Sequence, residues 1–266
     1  MLAHPADNDG AWGYLWVKWN SIPLENRVLL GFDLTPLAGR ASDVLSAAII
    51  LRAADHTFPT RGTRIEISAN EPGAIDWVEG DLRFDTFAYC SRKSLWRPPT
   101  GVGDPGVTWR CEAATDAADP LPACLAPSPP ATWDGGLLAS SDPQVGQRGF
   151  RATATDSHVE AKGYDPLCRK ALACFASSGS LDCWRRVLFD VTSDVRERLA
   201  SGDHRSSWLI RKDRVEAGAA HFFSREGAMC ILGVPGLRPQ LLVTLSARPG
   251  DPPSVPEPAD HCEASR

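Results

Sequence analysis

Arg27-Val28-Leu29-Leu30-Gly31-Phe32-Asp33-Leu34 carries a large apolar residue at every second position: Val28, Leu30, Phe32 and Leu34. That is the period of an extended chain with one buried face, since a helix would space its apolar set three and four apart. A turn signal, Thr35-Pro36 to Gly39, closes the segment. Outward from it the same reading repeats. Val44 to Arg52 is extended, with Ala47, Ile49 and Leu51 as the inner set, and Arg64 to Ser68 alternates around Ile65 and Ile67. Arg83 to Phe87, Arg186 to Val191, Trp208 to Arg211, Ala220 to Ser224 and Leu241 to Leu245 follow suit. Short strands separated by Gly, Pro and Asp turns point to an all-β sandwich or barrel rather than to βαβ units. One short helix is expected, capped by Thr192 or Ser193, with Val195 and Leu199 on its apolar side and Gly202 as its end.

Composition closes off several classes. The chain has 266 residues, 43% of them apolar and 23% charged, with nine Trp, which excludes a wholly disordered polymer. Its 28 basic and 33 acidic residues give a net charge of −5, so the basic footprint of a nucleic-acid binder is missing. The longest nearly apolar run, Val44 to Leu51, is too short for a membrane-spanning helix. With 22 Gly and 22 Pro, a coiled coil has no room.

We read 1–10 as an N-terminal extension, 11–246 as a single β domain and 247–266 as a Pro-rich tail or linker. Within the domain, about 111–185 is an insertion between the two strand groups. Pro120, Pro122, Pro127, Pro129 and Pro130 fill its first half and three cysteines its second. It holds too few large apolar residues for a core of its own.

Eight cysteines, Cys90, Cys111, Cys124, Cys168, Cys174, Cys183, Cys230 and Cys262, show no C-x-x-C spacing. An even number without metal spacing reads as disulfides in an exported protein, secreted or at the cell surface. Cys111 with Cys124 is the one pairing favoured, and the others stay open. A metal cluster drawing on His56, His158, His204 and His221 matches no ligand template, and free buried thiols are the third alternative. The opening Met1-Leu2-Ala3-His4-Pro5 has no signal-peptide pattern, so an exported protein is expected to be a trimmed form or to start upstream.

Motifs for chemistry are sparse. Gly101-Val102-Gly103-Asp104-Pro105-Gly106 matches G-x-G-x-x-G, but Pro98-Pro99 precede it and a β-like Val107-Thr108-Trp109 follows, so a loop is expected. Paired carboxylates for glycoside hydrolysis could be drawn from Asp76, Glu79, Asp81, Glu66, Asp33, Asp190 and Glu226, yet nothing in their spacing selects a pair. No catalytic residue is assigned and no cofactor is expected. Asp7-Asn8-Asp9-Gly10 offers oxygen ligands for a structural calcium without the rest of an EF-hand loop, which favours a plain turn.

The most pointed local feature is an aromatic face. Trp12, Tyr14 and Trp16 fall on one side of an extended segment with Lys18 beyond them, while Leu15, Val17 and Trp19 fall on the other. Sugar rings stack their C–H faces on such aromatics, and Lys18 suits an acidic sugar. The competing expectation is that the cysteine-rich insertion covers this face as a second core.

Taken in order, the strand words resemble the DNRLRE domain family of carbohydrate-binding modules. Arg27-Val28-Leu29-Leu30-Gly31-Phe32-Asp33-Leu34 resembles its opening strand and Val44 to Leu51 the next. Gly106-Val107-Thr108-Trp109 and Ala131-Thr132-Trp133-Asp134 are similar to its Trp elements. Phe189-Asp190-Val191-Thr192 is similar to its second F-D-V-T strand, which leads into a short helix. Trp208-Leu209-Ile210-Arg211, Phe223-Ser224-Arg225-Glu226 and Arg238-Pro239-Gln240-Leu241-Leu242-Val243 resemble its closing trio. The resemblance implies a jelly-roll β-sandwich in secreted or surface bacterial proteins, often beside a catalytic domain. Some members of that family bind acidic or neutral polysaccharides and others build surface structures.

The family's motif carries no universal catalytic residues. Only ten residues precede Ala11-Trp12-Gly13, where the family places another strand, and the insertion before Phe189 is longer than the pattern expects. Asp33 and Asp190 are expected to accept backbone N–H bonds at strand exits, and Arg225-Glu226 to pair across strands. The resulting expectation is a non-catalytic polysaccharide-binding module. A structural or adhesion module without a sugar ligand is the first alternative and a polysaccharide-degrading enzyme the second.

Overall fold

In a computed structural model of the chain, the residues described are 14–19, 25–53, 58–59, 63–70, 150–151, 153–160, 176–213, 218–224, 228 and 234–248. They are mostly strands, all paired antiparallel: β1 (Tyr14–Trp19), β2 (Glu25–Asn26), β3 (Val28–Asp33), β4 (Val44–Arg52), β5 (Phe58–Pro59), β6 (Thr63–Ala69), β7 (Asp156–Glu160), β8 (Arg186–Asp190), β9 (Arg205–Lys212), β10 (Gly218–Phe223) and β11 (Gln240–Leu245). They form sheets in the orders β2-β1-β10-β5, β11-β4-β8 and β3-β9-β6-β7. An isolated bridge between Ala53 and Phe222 joins the end of β4 to β10.

Inner faces of all three sheets meet in one core. Val17 of β1, Ile49 and Leu51 of β4, Ile65 and Ile67 of β6, Val187 and Phe189 of β8, Trp208 and Ile210 of β9 and Phe222 of β10 are all essentially solvent-free there. Side chains of this size stabilise by roughly 1.5–3 kcal/mol each when fully buried. The inner sets expected from alternation are the ones found. Val28, Leu30 and Leu34 are buried in one segment, with Phe32 partly buried against the same core, and Ala47, Ile49 and Leu51 are buried in the other.

β7 lies inside the stretch that the sequence assigns to the insertion, yet it pairs with β6, and Phe150 just before it is fully buried. Alternation could not reveal this strand. Its one large apolar residue, Val159, points outward at 59% exposure, while His158 on the other face packs edge-on against Phe189 at 6.5 Å. β9 likewise runs beyond the expected Trp208–Arg211, because the added inward positions Ser206 and Lys212 are buried but polar.

α1 (Thr192–Ser201) forms where expected and ends at Gly202, whose φ of 76° is the left-handed region that glycine tolerates. Its start differs from expectation. Val191 is the N-cap residue and its aliphatic side chain offers no cap, while Thr192 is the first helical residue and its hydroxyl is engaged elsewhere. It donates to Asp190 Oδ1 at 2.6 Å and accepts the Ala47 N–H at 2.9 Å. The same device sits at the end of β3, where Thr35 gives both its N–H and its hydroxyl to Asp33 Oδ1 at 2.9 and 2.6 Å. Both carboxylates therefore do what was expected of them at strand exits.

Polar groups anchor the inner side of α1. Asp194 is 2% exposed; its Oδ2 accepts the Trp208 indole N–H at 2.9 Å and its Oδ1 pairs with Arg151 at 3.2 Å. Arg198, also buried, donates to the Asn70 carbonyl and pairs with Asp203 at 2.8 Å. Arg196 donates to the Val44 carbonyl, tying the helix to the start of β4. Burial pushes the Asp194 carboxyl upward, against the pull of its Trp208 and Thr155 hydrogen bonds.

Candidate aromatic binding face

β1 pairs along its whole length with β10, placing Trp16 directly opposite His221 and Lys18 opposite Ala219. Val17 is fully buried in the main core, so period-two geometry sends Trp16 and Lys18 to the other face of the sheet. The Trp16 and His221 rings stack at 4.5 Å with 11° between planes. His221 is buried, while Trp16 and Lys18 are each partly exposed. The indole thus lies on an imidazole floor, with an ammonium further along the strand. A stacked pair of this kind holds the indole in a fixed plane, which is what a C–H face of a sugar needs.

Beyond His221 on the same face stands Phe223, and it is covered. Trp184 meets it edge-on at 6.0 Å and 89°, and Cys183, Ala228 and Leu237 complete a second buried cluster. The end of the insertion, at Cys183 and Trp184, therefore walls one end of the aromatic face. All six residues of β10 are buried, with Ala220 and Phe222 in the main core and Phe223 in this second cluster. Buried Arg52 ties the wall to β4 by donating to the Trp184 carbonyl at 3.0 Å.

Of the four residues expected to form the face, the structure brings Trp16 and Lys18 together. Tyr14 belongs to β1 by backbone, opposite Phe223, but its side chain and all of Trp12 lie outside the described residues. His221 and Phe223 are the members that sequence reading missed as partners of the face. The alternation in Ala219-Ala220-His221-Phe222-Phe223 carries the signal, but only the register between β1 and β10 says that His221 lies beneath Trp16.

Other sequence candidates resolve differently. Glu66 is engaged by Arg211 at 2.9 Å, with Arg64 at 3.7 Å. Thr192 holds the Asp190 carboxyl below the ordinary carboxylate range through its hydroxyl and then its N–H, and Thr35 does the same for Asp33. These are acceptors committed to turns. Asp76, Glu79, Asp81 and Glu226, the Arg225-Glu226 pair, the Gly101–Gly106 loop, the Asp7–Gly10 turn and the Arg83–Phe87 strand all lie outside the described residues. Among the described residues no group of three or more His, Cys, Asp or Glu is arranged to hold a metal ion. His56 and every cysteine but Cys183 also lie outside them. Cys183 is buried. No helix among the described residues is long and apolar enough to cross a membrane.

No protein-family model matches this sequence, and no curated protein matches it.

Proposed function

We propose that this chain is a non-catalytic, secreted or surface-displayed module of jelly-roll type, stapled by disulfides, that binds polysaccharide through the outward face of β1. The observation that carries the reading is Trp16, partly exposed and stacked on the buried His221, with Lys18 on the same face. A ring held flat against a buried partner loses little conformational freedom when a sugar docks, and Lys18 supplies a charge for a carboxylated sugar. The resemblance of the strand words to the DNRLRE domain family supports the same class of function and a catalytic domain as neighbour. The commitment of Asp33, Asp190 and Glu66 to turns and ion pairs weighs against assigning those carboxylates to catalysis.

A specific observation favours the second reading, a structural or adhesion module without a sugar ligand. The Trp184 cluster already covers the Phe223 end of the face, as a packing surface would require. A glycan array of acidic and neutral polysaccharides separates the two. Binding that falls at least about tenfold in Trp16→Ala, and falls for acidic glycans in Lys18→Ala, supports the first reading. Silence across the array overturns it in favour of the second.

A further inference from the structure

On the reading of β1 as the binding face, we propose that Lys18 and Asn26 form a carboxylate clamp beside Trp16, and that the glycan this face takes is built of uronic acids. β1 lies between β2 and β10, and the register sets Asn26 of β2 on one side of Lys18 and Ala219 of β10 on the other. Directly opposed residues of antiparallel strands share a face. Asn26, Lys18 and Ala219 therefore form one row, and Trp16 with His221 the next. Asn26 is 7% exposed and Lys18 partly exposed. Among the described residues, neither side chain has a hydrogen bond or an ion pair.

The uncompensated ammonium has its cause in that row. Ala219 offers no acceptor, and residue 26 is an asparagine where an aspartate would neutralise the lysine across the strands. On β9, by contrast, Arg211 is held by Glu66 and Lys212 by Asp213. A buried carboxamide without a partner has hydrogen-bonding capacity that a ligand oxygen can meet. Lys18 then donates to one carboxylate oxygen and the Asn26 amide to the other, both bonds strengthened by charge. Trp16 and Lys18 stand two residues apart, roughly 6.5–7 Å along the strand. A pyranose ring stacked on the indole, with its exocyclic carboxylate turned toward the flexible Lys18, spans that distance. Ring and charge thus belong to a single sugar residue. A neutral sugar can stack on Trp16 but leaves both polar groups unmet.

Titration calorimetry of the full chain tests the proposal, with polygalacturonate and polymannuronate each set beside its carboxyl-reduced, neutral form. The parent is expected to bind at least one uronate polymer about tenfold or more tightly than the reduced polymer of the same backbone. Lys18→Met, which keeps an apolar stem, and Asn26→Ala are each expected to erase most of that preference while leaving binding of the reduced polymer as it is. Trp16→Ala is expected to weaken both forms. Lys18 is partly exposed, so its variant carries the test even where the buried Asn26→Ala unfolds. Equal binding of each polymer and its reduced form, lost in Trp16→Ala, overturns the clamp and keeps the binding face. Dextran sulfate bound as tightly as either uronate overturns it in favour of a plain attraction between charges. Silence toward every polymer overturns the clamp and the binding face together.

Discussion

Asp190 and Asp33 show how much one carboxylate fixes at a strand exit. Each takes the N–H and the hydroxyl of the Thr two residues on, and at Asp190 that Thr also holds the Ala47 backbone of β4. Removing the acceptor in Asp190→Ala should lower unfolding stability by about 1 kcal/mol in urea melts, while leaving glycan binding as it is. A variant that melts like the parent would refute this role. The charge has its own signature. Because the folded Asp190 carboxyl lies below its unfolded value, near the usual 3.9, its stabilisation is complete above that value and is lost as pH falls through the lowered one. Asp190→Asn keeps an oxygen acceptor without the titration. Its stability, followed by urea midpoint against pH, should therefore fall less steeply below about pH 4 than the parent's. Asp194 works in the opposite sense: its raised folded value makes stability decline as pH rises from the unfolded value to the folded one.

At the scale of elements, α1 joins a propensity stop to a tertiary anchor. Gly202 ends it with φ at 76° and a backbone N–H bonded to the Arg198 and Leu199 carbonyls. An alanine there meets no neighbouring atom within 4 Å but carries the left-handed strain, so Gly202→Ala should cost about 1 kcal/mol in thermal or urea unfolding. A neutral result would mean that the helix end relaxes. Strands divide into those with an apolar inner face and those without. β3 and β4 bury aliphatic residues on the inner faces that alternation reports, and β8 buries Val187 and Phe189 beside them. β7 turns His158 inward, so nothing in its pattern distinguishes it from a loop.

For the whole molecule, the second cluster decides what the aromatic face is. Trp184 is 3% exposed and rests on Phe223, one outward position along β10 from His221. Trp184→Ala opens a cavity and should destabilise by about 3–5 kcal/mol, read as a lowered Tm. Glycan binding by the folded variant then reports whether the wall shapes the face or only covers it. Retained affinity assigns the wall to packing, and lost affinity assigns it to the site.

The β-rich character, the inner residues of β3 and β4, the positions of β6 and β8, the end of the helix and the roles of Asp33 and Asp190 were determined by sequence alone. All of these depend on neighbours one to four residues apart, where backbone period and side-chain reach leave few choices. Half of the candidate face was legible for the same reason: alternation separates Trp16 and Lys18 from Val17 before any fold is known. The floor beneath Trp16, the wall at Trp184, the strand at Asp156–Glu160 and the burial of Asp194 were decided only by tertiary structure. His221 lies more than 200 positions from Trp16, and the pairing register that stacks the two rings comes from a shared core rather than from either segment.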